Sequence, residues 1–167
     1  MELWDILDAE GNKTGRTIER GQLLKQGEYH LVVHVFILNG KGEFLIQKRS
    51  MNKEIWPGLW DITGGAVVSG EDSLTGALRE VEEELGITLA PENFSLITRL
   101  QRKNRFADLW AAYADIAIED VIMQAGEVDD VKYVNAGEMI NLILNAEHPD
   151  DEYKQIIVEF IKSNDDQ

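Results

Sequence analysis

The sequence predicts an α/β fold, a sandwich of helices on a mixed β-sheet. Three observations carry that expectation. Tyr29 to Asn39 (YHLVVHVFILN) is almost continuously apolar and rich in β-branched residues, as suits a strand covered on both faces. A single amphipathic helix follows in mid-chain, and further strand patterns and a terminal helix come after it.

In chain order, Met1 to Leu7 (MELWDIL) reads as a first strand closed by the turn-prone Asp8 to Asn12. Lys13 to Glu28 is polar and broken by Gly15, Gly21 and Gly27, which predicts irregular structure or short helical turns. This leader, 1–28, is too short to be a domain, and Trp4 is expected to pack against the core. The long strand is linked by Asn39-Gly40-Lys41-Gly42 to Glu43 to Arg49 (EFLIQKR), forming a hairpin. Ser50 to Trp60 is a loop carrying Pro57 and Gly58. After the central helix, Phe94 to Leu100, Leu109 to Ile118 and Val131 to Val134 read as strands. Gln101 to Asp108 links the first two and holds Arg102, Lys103 and Arg105, a positive cluster suited to phosphate or simply to solvent. Met139 to Asn145 and Asp151 to Ser163 read as helices, the latter with Ile156, Ile157, Phe160 and Ile161 inward. Asn164 to Gln167 is expected to fray.

Composition narrows the functions. The 167 residues fit one domain, 1–167, with 44% hydrophobic and 28% charged residues. Without cysteine there is no disulfide, thiolate metal site or cysteine nucleophile. A formal net charge of -15 argues against unspecific nucleic-acid binding and means that a polyphosphate needs local cations to approach. No apolar run spans a membrane and no secretory signal is visible, so a cytoplasmic location with no membrane partner is expected.

The chemistry concentrates in Gly65 to Ile87, GAVVSGEDSLTGALREVEEELGI. On a helix, Leu74, Ala77, Leu78, Val81 and Leu85 form one core-facing stripe. Glu80, Glu83 and Glu84, at i, i+3 and i+4, share a second face, while Glu82 points elsewhere. Crowded carboxylates repel, and hard divalent cations, Mg2+ or Mn2+, turn that repulsion into a binding site. Asp72 or Ser73 suits the helix N-cap and Gly86 the left-handed C-terminal position. Arg79 can orient one of the carboxylates. Arg49 and Lys53 are candidates for gripping phosphate, and Trp56 for stacking on a flat group or packing beneath its loop. A backbone carbonyl at Gly64 or Gly65 could complete a metal shell. His34, inside the apolar run, is expected to be a hydrogen-bonded core histidine, and His30 stands at the strand entrance with both readings open.

The spacing of Gly65, Glu71 and Arg79 to Ile87 resembles the Nudix box. The resemblance implies an α/β/α sandwich and hydrolysis of a small diphosphate, typically a nucleoside diphosphate linked to another group. It implies cation ligands at Glu80, Glu83 and Glu84, an orienting Arg79, and, more loosely, a further ligand or base at Glu127. Many relatives pair as dimers, which makes a homodimer one expected partner. Trp4 to Gly86 is further similar to Nudix proteins like type I isopentenyl-diphosphate isomerases. By that likeness Arg49 and Lys53 match a diphosphate-holding pair and His30 a metal ligand. Those isomerases carry a cysteine and a histidine where this chain reads Gly64 and Ala66, so hydrolysis is the favoured activity and isomerisation or non-hydrolytic nucleotide sensing the alternatives.

Overall fold

The structure is a computed structural model, and it describes residues 1–165. The strands of the main sheet are β3 (His30–Leu38), β4 (Phe44–Arg49), β5 (Trp60–Asp61), β6 (Thr63–Ala66), β7 (Phe94–Gln101), β8 (Arg105–Tyr113) and β9 (Val128–Val134). A five-strand path runs β5-β4-β3-β8-β7, with β6 paired to β3 and β9 to β4. The sheet is mixed because β3 and β8 run parallel while the other pairs are antiparallel.

Alternation along β3 separates two cores. Val33, Val35 and Ile37 face Ala77, Val81 and Leu85 of α1 (Ser73–Leu85). Val32, Phe36 and Leu38 face Met139 and Ile143 of α2 (Ala136–Asn145) and Tyr153, Ile157 and Ile161 of α3 (Asp151–Asp165). The result is the expected three-layer α/β/α sandwich. Each fully buried Val, Leu or Ile adds about 1.5–3 kcal/mol.

Three expectations change. Lys13 to Glu19 is a strand, β2, paired antiparallel with β1 (Leu3–Leu7) in a separate two-stranded sheet. Its side chains are mostly exposed, so backbone pairing makes it a strand and no hydrophobic alternation announces it. The strand expected at Leu109 to Ile118 is displaced to Arg105–Tyr113, because nine parallel rungs from His30↔Arg105 to Leu38↔Tyr113 set its limits. The polar residues that read as a linker are accommodated within it: Asp108, 1% exposed, is held by both nitrogens of the Arg99 fork at 2.6 and 2.8 Å. The third change concerns the end of the Ser50 to Trp60 loop and the residues after it, which carry no strand pattern in the sequence and supply β5 and β6.

That last change shapes the molecule. The β3–β4 hairpin keeps only two rungs, Ile37↔Leu45 and Leu38↔Phe44, and then splays. Residues 60–66 fill the gap, β5 on β4 through Gln47↔Asp61 and β6 on β3 through Val32↔Ala66 to Val35↔Thr63. The chain then leaves β6 and enters α1 within seven residues.

The terminal helix runs to Asp165, two residues beyond the expected Ser163, and its buried stripe is Tyr153, Ile157 and Ile161. Of the tail expected to fray, Asn164 and Asp165 are helical, and Asp166 and Gln167 lie outside the described residues.

Candidate active site

Helix α1 is fixed at both ends. Asp72 caps it by accepting from the Thr75 N–H at 2.8 Å. Trp110 donates from Nε1 to Ser73 Oγ at 2.9 Å. At the other end Gly86 takes φ 67°, and a Cβ there would meet Ile122 Cβ at 2.7 Å. The free carbonyls of Glu84 and Leu85 accept from the N–H groups of Gln124 and Ile122 at 3.0 and 2.8 Å. This segment leads directly to Glu127, so the end of the helix sets where Glu127 stands.

Arg79 gathers the acids. Its Nε and Nη2 donate to the two oxygens of Glu71 at 2.8 and 3.0 Å, and Nη2 also reaches the Ala66 carbonyl at 3.0 Å. Nη1 donates to Glu80 Oε1 and Glu83 Oε2, each at 3.1 Å. Burial pulls its pKa down, but the Glu71 bonds and the charges of Glu80, Glu71 and Glu83 outweigh that and raise it above the ordinary value.

Glu80 lies against the backbone of β6. A Cβ on Gly65 would come within 2.6 Å of Glu80 Cδ, so this position must be glycine for the carboxylate to seat. Burial raises the Glu80 pKa against the pull of Arg79. Burial likewise pushes Glu84 up, to about 8, aided by the neighbouring Glu80 charge and opposed by Gln47 and the Gly64 N–H. Glu83 is the exposed member of the three. Among the described residues no three acidic or histidine side chains converge on a ready-made cation site. Glu80 and Glu83 are turned to Arg79, and Glu84 to Gln47.

Gln47 is the residue that sequence reasoning missed. It is 5% exposed, and its Nε2 donates to Thr63 Oγ1 at 3.0 Å and to Glu84 Oε2. The only signal in the sequence is a lone amide in EFLIQKR at a position facing α1.

The remaining candidates sit on the loop after β4. Arg49 donates to the carbonyls of Ile55 (2.9 and 3.1 Å) and Trp56 (3.2 Å), and so braces the loop. Lys53 pairs with Glu127 at 2.5 Å, and the Ser50 and Met51 N–H groups donate to Glu127 O and Asp129 Oδ2. Trp56 is not packed beneath the loop: it is 41% exposed, at φ 48°, with its ring 5.0 Å from that of His148. Met51, Ile55 and Leu59 are exposed beside it in the chain. Such a conformation costs a bulky residue about 1 kcal/mol or more and is held here by the Arg49 fork.

The histidines lie apart from the acids. His34 Nδ1 meets Tyr153 Oη at 2.6 Å, joining β3 to α3 as a core histidine, and burial and the Arg105 charge lower its pKa to about 4. His30 stacks under Trp4 at 4.2 Å and is likewise lowered to about 4 by burial and Arg105. By strand alternation both project opposite to Val33, on the face away from α1, so His30 does not join Glu80 and Glu84. Trp4 thus packs against the core edge, as expected. Arg102 is taken up by Asp150 (2.6 Å) and Glu152 (3.1 Å) at the start of α3.

The NUDIX domain family matches residues 28–156. The chain belongs to the Nudix family. It is 41% identical over 140 residues to an uncharacterized Nudix hydrolase of Listeria monocytogenes, covering 83% of each chain. Nudix hydrolase 3 of Arabidopsis thaliana is 36% identical over 162 residues, covering 89% of this chain and 21% of that one. Among solved structures, DR0079 of Deinococcus radiodurans superposes with a TM-score of 0.72 at 20% identity, covering 97% and 98%. A MutT protein of Methanosarcina mazei gives 0.62 at 27% identity, covering 87% and 100%. The protein is therefore a Nudix hydrolase with the Nudix α/β fold, and the box residues Glu80, Glu83 and Glu84 stand together on α1. Among the described residues no helix is long and apolar enough to cross a membrane.

Proposed function

We propose that this Nudix hydrolase is a metal-dependent diphosphatase acting on a small organic diphosphate, a nucleoside diphosphate linked to another group. One observation carries the reading: a single guanidinium serves Glu71, Glu80 and Glu83, leaving Glu84 with neutral donors, Gln47 Nε2 and the Gly64 N–H. The excess negative charge, partly shielded from water, is the electrostatic complement of a divalent cation. Glu80, Glu83 and Glu84 would hold Mg2+ or Mn2+, with the Gly64 carbonyl completing the shell. The donor set fits: hard carboxylate oxygens, with Glu80 seated in the cradle opened by Gly65. Such cations neutralise phosphoryl oxygens and acidify the attacking water.

The chain's own residues do the rest. Arg79 orients Glu80 and Glu83. Lys53 and Glu127 neutralise each other until a diphosphate offers Lys53 a better partner, which frees Glu127 or leaves Glu80 to take the water's proton. Arg49 holds the loop, and Trp56 presents a flat apolar face to the group beyond the diphosphate. The substrate is a small molecule met in the cytoplasm, in one Nudix domain that is free to form a homodimer.

Isomerase chemistry does not suit the site, despite the resemblance along Trp4 to Gly86. A Cβ at Gly64 would sit 3.3 Å from His34 Cα and closer still to the Val33 carbonyl, so no cysteine fits there. Ala66 packs into the core on the α2 and α3 side.

Glu84→Lys places an ammonium where the cation would bind. Turnover of a diphosphate panel with Mg2+ or Mn2+ should vanish while circular dichroism and the melting curve show a folded protein. A folded Glu84→Lys that still hydrolyses its substrate would refute the assignment.

A further inference from the structure

We infer that Gln47 is a positioning residue that fixes Glu84 for the cation, an inference that rests on the hydrolase reading above. Its backbone is locked between two neighbours, opposite Asp61 of β5 on one edge of β4 and Val131 of β9 on the other. Its amide nitrogen has two N–H groups, and both are used, on Thr63 Oγ1 and Glu84 Oε2. Turned over, its carbonyl oxygen would face Glu84 in the ionised form that a cation requires. Thr63 is 2% exposed and itself fixed in β6 opposite Val35, so the chain Thr63–Gln47–Glu84 ties the acid to two strands of the sheet.

The choice of an amide is informative. Arg79 reaches Glu71, Glu80 and Glu83 but makes no bond to Glu84. A second basic residue at position 47 would tie Glu84 down as firmly, yet would cancel the charge that a cation needs. A neutral donor holds one oxygen in place and leaves the charge. Supporting bonds of this kind set metal affinity, and losing one costs about 10–100-fold. A buried polar group that only filled space would impose no such dependence.

Two substitutions separate these roles. Gln47→Met keeps length and volume and removes both N–H groups; Gln47→Lys keeps a donor and adds charge. Mn2+ binding is followed by calorimetry and by the electron paramagnetic resonance of free Mn2+, alongside the metal dependence of turnover. Gln47→Met should bind Mn2+ about 10–100-fold more weakly, with the metal KM raised to match and kcat at saturating metal within about twofold of wild type. Gln47→Lys should lose binding at the box altogether. Thr63→Val, which frees one N–H and leaves Gln47 in place, should weaken binding by a smaller factor and serves if Gln47→Met does not fold. Wild-type affinity in a folded Gln47→Met or Thr63→Val overturns the inference. A wild-type protein that binds no divalent cation overturns the metal-dependent reading proposed above, and this inference with it.

Discussion

The two faces of the central sheet solve the problem of buried polar groups in opposite ways. On the α2 and α3 face, His34 and Tyr153 are both neutral and satisfy each other, and around them lie Phe36, Ile157 and Ile161. On the α1 face, Glu71, Glu80, Glu83 and Glu84 share one Arg79 and one Gln47. The His34–Tyr153 pair is complete as it stands, although on the same face the buried His30 Nδ1 has no hydrogen-bond partner among the described residues. The other face crowds four acids on one guanidinium and neutral amides, and burial makes Glu80 and Glu84 hold their protons more tightly than usual.

Substitution should separate the two faces, beginning with the largest effect. Ile157→Ala opens a cavity in a fully buried position and should cost about 2–5 kcal/mol in chemical denaturation, with turnover per folded molecule unchanged. A matching fall in kcat would show that the faces are coupled. Gly65→Ala drives a methyl into Glu80 and should act the other way round, lowering turnover about 10²-fold through displacement of the acid.

The charge imbalance also fixes a sign for pH. Glu84 binds its proton more tightly folded, at about 8, than at its ordinary value of 4.5, so its contribution to stability is full below the ordinary value and is lost as pH rises towards 8. Without metal, wild type should melt at progressively lower temperature from about pH 5 to 8, and Glu84→Gln should lose less. Mg2+ should restore wild type most at the alkaline end, by about 2.7 kcal/mol at a hundredfold excess over Kd. Equal metal stabilisation of Glu84→Gln would mean that the ion binds elsewhere. The smallest effect expected is from Tyr153→Phe, which leaves His34 Nδ1 without its hydrogen-bond partner. About 1 kcal/mol of stability and no change in metal affinity should result, by melting and Mn2+ titration.

The sequence made one part of this site legible and hid the other, for a physical reason. Helical spacing is local, so Glu80, Glu83, Glu84 and Arg79, the Asp72 cap and Gly86 follow from a stretch of about two dozen residues. Gln47, the Gly65 cradle and the Lys53–Glu127 pair depend on where β3 and β4 part company, and no periodicity records that. Lys53 and Glu127 are 74 residues apart in the chain. Strand β2 escaped because its exposed side chains carry no alternation. Trp56 was seen as a candidate, but its exposure follows from Arg49 gripping two loop carbonyls, a contact between a side chain and a backbone that residue type does not encode.

Strand β6 is at once a rung of the sheet and the floor beneath Glu80 and Glu84. The site therefore has no softness of its own to exploit. The Gly65 amide, paired with Val33, belongs to the same cooperative unit as β3 and should exchange only through global opening, whereas the Gly64 N–H is held by Glu84. The segment from Met51 to Leu59 is drawn into the same unit, because Gly58 and Leu59 bond the backbone of Arg49 and Lys53 pairs with Glu127, so a change there would be felt at β4 and at the start of β9.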